Sequence, residues 1–241
     1  LFRSSSSSTT VTKQGTGTVT LSSANTFTGT TTITAGTLQV NGSLAAGSTV
    51  DIGTAGTLSG SGTVNGNVTL TGSGIINLSN PGIIGGTLGV TGGNWNGAGS
   101  VTGLVTSSSG TFTIGSGANL TANGGLSVTG GSFGSGNSAS TITGSVIYTS
   151  ASNSSFDGVI AGSGKTVTMN NGAATLILDG ANTYTGATTI TVGTLQLGSG
   201  GTTGTLATSS VITNNGTFEI NRSNAVAQGT DFNGAGISGT G

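Results

Sequence analysis

The chain has no histidine, no cysteine and a single proline in 241 residues. Missing cysteine excludes disulfides and thiolate metal sites. With histidine also gone, proton exchange and nucleophilic attack fall to five acids, Asp51, Asp157, Asp179, Glu219 and Asp231, and to two lysines. Charge is equally scarce. Only 4% of the residues are charged, where an ordinary globular domain carries about 25%. Arg3, Lys13, Lys165 and Arg222 are too few for the clustered basic face that nucleic acid or an anionic membrane demands. No window approaches the roughly 20 apolar residues of a transmembrane helix.

Glycine fills much of the space, with 49 residues, alongside abundant Ser, Thr and Asn. Disordered chains combine low hydrophobicity with high net charge. Here the net charge is −1 and the mean hydropathy is +0.20. The apolar residues are mostly Val, Ile and Leu in short alternating runs such as Thr16 to Leu21, the period-2 pattern of a strand with one buried face. Glycine and β-branched residues are too dense for a helix. A folded all-β chain with a thin core follows.

Its organisation is periodic. Leu38, Leu58 and Leu78 are spaced by 20, as are Val50, Leu70 and Val90, which predicts solenoid coils of that length. The unit Gly-Thr-(Leu/Phe) marks strand starts at Gly36, Gly56, Gly86, Gly110, Gly193, Gly204 and Gly216. Glycine is expected to supply a corner with positive φ, Thr to face out and the large residue to turn in. Residues 1–12, with the run Ser4 to Ser8, read as a lead or surface loop, and residues 13–241 as the solenoid. A looser middle spans 107–155, with strands at Thr111 to Ile114, Leu126 to Thr129 and Thr141 to Tyr148. About 11–12 coils, roughly 4.8 Å apart, give a body on the order of 55 Å long.

One stretch is said twice. Ala24-Asn-Thr-Phe-Thr-Gly29, continuing to Val40, returns as Ala181-Asn-Thr-Tyr-Thr-Gly186, continuing to Leu197, at a constant offset of 157. Downstream, Ile52, Gly56 and Leu58 match Ile212, Gly216 and Phe218 at an offset of 160. Segments 15–40 and 172–197 resemble the autotransporter-associated β-strand repeat of bacterial type V passenger regions. The motif residues are Asn25, Phe27, Gly29, Gly36 and Leu38 in one copy, and Asn182, Tyr184, Gly186, Gly193 and Leu195 in the other. The resemblance implies a right-handed parallel β-helix, exported and displayed outside the cell, often as an adhesin or fibre stalk. The second copy departs from the pattern with Ala174 where the first has Gly17, and the stretch holds no candidate for a membrane-embedded barrel.

Phe232 to Gly241 resembles Phe156 to Gly164, the lead-in to a motif copy. The chain therefore reads as a slice of a longer protein, or as one whose next copy comes from another molecule. No charged residue or proline marks the C-terminal end as capped, so covalent continuation or end-to-end stacking into a filament is expected.

Candidate sites are few. The acids are scattered, against the clustered acids of polysaccharide-cleaving β-helices, so no catalytic residue is assigned. Gly164-Lys165-Thr166 lacks the phosphate loop's first glycine, since Val159 holds that place, and reads as a turn. The glycine-rich turns lack the recurrent Asp of calcium-binding β-rolls, so no metal or cofactor is assigned. Trp95 is a weak candidate for stacking on a sugar, against a packing role. Thr-x-Thr pairs such as Thr16-x-Thr18 and Thr32-x-Thr34 read as general Thr richness. Asn25 and Asn182 read as corner residues bonding to backbone and to Asn above and below, with Phe27 and Tyr184 beside them. The functions consistent with this are an extracellular structural stalk or fibre, then an adhesin contacting glycan or a surface through turns in 92–100 and 130–155. A polysaccharide-acting enzyme is a distant third.

Overall fold

The computed structural model describes residues 8–241. Among them every regular element is a strand, and every strand pairing is parallel. Parallel pairing needs a crossover between partners, and here each crossover is one turn of a three-faced solenoid. The run Ser4 to Ser8 lies largely outside the described residues. Val11–Lys13 already pairs with the strand Thr31–Val40, so the solenoid begins ahead of residue 13.

On face one, Val11, Thr31, Val50, Val68, Leu88 and Val105 stand in register, followed by Leu126, Val146, Val167, Thr188, Ile212 and Ile237. These twelve rungs make eleven turns, in line with the expected coil count. Face two carries Leu38, Leu58, Ile76, Trp95 and Ile114 in one column. Face three carries Leu44, Val64, Ile84, Val101 and Ala122. The residues named on faces two and three all point inward and are buried, as are those of face one from Thr31 to Ile212. The segment 107–155 is as regular as the rest: Thr111–Ile114, Leu126–Val128, Thr141–Thr143 and Val146–Tyr148 all hold rungs.

The 20-residue columns are corrected in detail. Leu78 stands opposite Gly60, not beside Leu58, and Leu70 stands opposite Ile52, not Val50. Both slips are by two residues. Side chains alternate with period 2, so a two-residue slip leaves the apolar set facing in and costs the core nothing. The same slip makes Val50, not Ile52, the spatial counterpart of Ile212.

The ends also differ from expectation. Phe156 pairs on face two with Leu178, whereas Phe232 packs edge-on against Phe218 at 5.6 Å and follows Asp231, whose carbonyl accepts the Leu206 N–H. Their sequence likeness is not a likeness of position. The final coil is not free of charge either. Arg222 Nη1 lies 2.7 Å from Asp231 Oδ1 with both side chains largely buried, and it also donates to Gly204 O at 3.3 Å.

Candidate functional site

The twin motif is a corner device. Thr31–Val40 and Thr188–Leu197 each serve face one and face two in a single bent strand. At the bend Gly36 has φ +69° and Gly193 φ +91°, a region that L side chains avoid. The next residues turn inward: Leu38 and Leu195 are fully buried. Gly56, Gly86 and Gly216 are not at positive φ, which corrects the single role given to the Gly-Thr-(Leu/Phe) unit. Glycine is needed there because backbone runs close by: a Cβ on Gly56 would lie 2.4 Å from Ile33 O.

Asn182 sits at the corner entering face three. Its Oδ1 accepts the Ile160 N–H at 2.9 Å, and its Nδ2 donates to Gly180 O and Thr205 O, each at 3.0 Å. Asn25 Nδ2 donates likewise to Ser23 O at 2.7 Å and Ser43 O at 3.3 Å, but its buried Oδ1 has no partner among the described residues. There is no amide ladder at this position: the residue stacked on Asn25 is Leu44, then Val64. Each Asn replaces backbone rungs and ties one coil to its neighbours.

Phe27 and Tyr184 fill the core behind the corner, both fully buried. Tyr184 Oη lies 2.6 Å from Thr188 Oγ1, which lies 2.8 Å from Ser210 Oγ, which donates to Gly186 O at 2.8 Å. Burial pushes the Tyr184 phenol well above its usual range, so it stays protonated. The first copy has a shorter and looser version, with Thr31 Oγ1 3.4 Å from Ser48 Oγ and Ser48 Oγ 3.1 Å from Gly29 O. The motif carbonyls at Gly29 and Gly186 are thus acceptors for a buried hydroxyl.

The other candidates are dispersed. Trp95 is 0% exposed on a face-two strand, and its Nε1–H donates to Gly97 O and Asn119 O at 3.1 Å each. The indole offers no ring face to a sugar, because period-2 alternation turns it inward. Aromatic stacking does occur, but between Phe133 and Phe156, whose centroids are 5.2 Å apart. Among the described residues no three acids gather as a metal site. Asp179 accepts from Ser199 Oγ at 2.5 Å and Thr203 Oγ1 at 2.7 Å. Asp231 is held below the ordinary carboxylate range by the Ala227 N–H and then by Arg222. Gly164-Lys165-Thr166 is a turn leading into the strand Val167–Leu178. An open hollow of about 210 Å³ beside the cis Asn80–Pro81 bond is lined by uncharged residues.

Two features escaped the sequence. The outward threonines of face one are more ordered than their scatter suggests. Thr12 and Thr32 begin a row that runs in register to Thr213 and Ser238, broken by Asp51, Gly89 and Ile147. Lys13 points inward: it is 5% exposed, in register with Ile33, and its Nζ donates to Gln14 O, Gly15 O and Ala35 O at 2.8, 2.6 and 2.9 Å. No local pattern shows a lysine facing a core; only the register does.

The passenger-associated-transport-repeat family matches this chain at residues 11–40 and 171–197, the two corner strands with their lead-ins. A stretch of 76 residues is 43% identical to the adhesin BmaC autotransporter of Brucella suis biovar 1 (strain 1330), covering 32% of this chain. The match spans 2% of that relative's length. No solved structure matches the chain significantly. With both copies of the motif bending a strand around the same corner of one parallel solenoid, the chain carries two copies of the passenger-associated transport repeat.

Proposed function

We propose that this chain is a non-enzymatic structural segment of a bacterial surface stalk or extracellular fibre. A passenger repeat places it outside the cell or on the cell surface. The observation that carries the reading is the unbroken register of face one from Val11 to Ile237, with the polar groups of the twin motif committed to holding coils together. Catalytic groups are dispersed, and the polar atoms of the motif are bound to backbone. The match spans 2% of the adhesin relative, and in this reading further coils adjoin the segment and cover inward-column residues such as Val19, Ile220 and Ile237, which are 44%, 40% and 44% exposed. Those coils come from continuation of the polypeptide or, in the fibre version, from a second copy.

The relative's printed name, an adhesin, favours a second reading in which exposed turns or faces contact a glycan or surface. Electron microscopy of the native surface material separates them. A uniform rod whose rise is about 4.8 Å per coil supports the stalk. Saturable glycan binding lost on substitution of turn residues in 130–155 would support the adhesin instead.

A further inference from the structure

Face one runs through the whole segment, but the other two faces do not. On face two the strand Ser132–Ser135 pairs back to Thr111–Ile114, and Ser154–Phe156 pairs forward to Val167–Leu178. Among the described residues no strand pairing joins Ser132–Ser135 to Ser154–Phe156. On face three the eight-stranded sheet ends at Val159–Ala161, and the Ile160 N–H is taken by Asn182 Oδ1 in place of a further strand. Both interruptions flank one coil, residues 146–161. Ladders tie it to the preceding coil on faces one and three, and to the following coil on faces one and two. The interface just before, between the coils at 105–122 and 126–143, has all three.

Side chains mend the gap on face two. Ser154 Oγ accepts the Phe133 N–H at 3.0 Å, and Ser135 Oγ accepts the Asp157 and Gly158 N–H groups at 2.9 Å each. Behind them Phe133 stacks on Phe156 at 5.2 Å and lies 6.1 Å from Tyr148. A hydroxyl oxygen has two lone pairs, so these donors keep partners. The bonds are isolated, however, and none of them extends the ladder.

We infer that the coil at 146–161 is a yielding point, which divides the segment into two cooperative blocks, 8–143 and 167–241, each with one copy of the motif. In a solenoid, stability is a sum of repeat terms and nearest-neighbour interfaces, so independently opening units part where an interface is weakest. The division holds whether the segment serves as stalk or adhesin, and it leaves the register within each block intact.

The test holds the wild-type chain at a series of urea concentrations, pulse-labels it with deuterium and reads its peptides by mass spectrometry. Fluorescence of Trp95, the single tryptophan and fully buried in the first block, is followed in parallel. Peptides from 146–158 are expected to open before the coils on either side, with protection lower by roughly tenfold or more. The two blocks should then lose protection at different urea concentrations. Ser135→Ala combined with Ser154→Ala should lower the urea at which 146–158 opens and leave the Trp95 transition in place. One transition shared by all coils overturns the inference, as does a boundary between blocks that falls in any other coil. A double substitution that shifts the Trp95 transition as far as the opening of 146–158 overturns it equally.

Discussion

The two motif copies are nearly the same sequence in different surroundings. The copy at 172–197 lies between coils that pair with it on both sides, whereas the copy at 15–40 begins at the first described rungs. The difference is visible atom by atom. Asn182 Oδ1 has an N–H from the preceding coil, where Asn25 Oδ1 has none among the described residues. Tyr184 closes a hydroxyl chain that Phe27 cannot. Lys13 stands where Met169 stands. A motif that repeats in sequence thus differs at a few positions in how it bonds to the adjoining coils. The unit of design is the contact between coils, as expected when stability is a sum of repeat and nearest-neighbour terms.

The corner glycines should give the largest effect. Gly193→Val forces a side chain into positive φ and against Asn171 O, only 2.0 Å from the new Cβ. A loss of about 3–5 kcal/mol in urea unfolding is expected. Gly89→Val, on an outward strand position with nothing within 4 Å, should change stability by less than about 0.5 kcal/mol. Equal costs would show that the corner is not the constraint.

Next comes the asparagine pair. Asn182→Leu strands the Ile160 N–H and two carbonyls in the interior, and should cost about 2–4 kcal/mol. Asn25→Leu loses two donated bonds but no accepted one among the described residues, so about 1–2 kcal/mol is expected. If Asn25→Leu proves the costlier, the accepted Ile160 N–H is not what sets the two corners apart. Tyr184→Phe should cost about 1 kcal/mol, since it removes one neutral buried hydrogen bond.

The smallest effect concerns pH. Asp231 has a lowered carboxyl pKa in the fold, so its contribution is full above the unfolded value of about 4 and is lost as pH falls further. Protection of the Ala227 amide, taken relative to its intrinsic exchange rate at each pH, should fall first on acidification below that value, while the middle coils stay protected. No change at Ala227 would detach the last coil from this carboxylate.

Much of the fold was readable before any coordinates. Alternation around Thr16 to Leu21 and the recurring Gly-Thr-Leu unit gave strands, coil length and approximate coil number. Two-residue slips such as Leu78 against Gly60 were hidden, because period-2 patterning is unchanged by them. The site was less legible. Asn25 and Asn182 were placed as corner residues, but the stacked amides were not found, since Leu44 and Val64 occupy the neighbouring coils. Trp95 was open between a weak sugar-stacking role and packing, and only its place on a strand shows that it turns inward. Direction of a side chain depends on register, and register is a property of distant pairs.

The central claim is that the coils stay in register from end to end, and the absence of cysteine makes it directly testable. Pairs of outward residues on adjacent rungs, Thr32 with Asp51, Thr106 with Ser127 and Thr189 with Thr213, can each be replaced by Cys. Neighbouring strands lie about 4.8 Å apart, within the Cα separations that disulfides accept. Oxidation is predicted to cross-link all three pairs within one molecule and to leave Thr106 with Thr129, two residues out of register on the adjacent coil, uncross-linked. Failure at Thr106–Ser127, or cross-linking of Thr106–Thr129 in its place, would contradict the register on which the whole account stands.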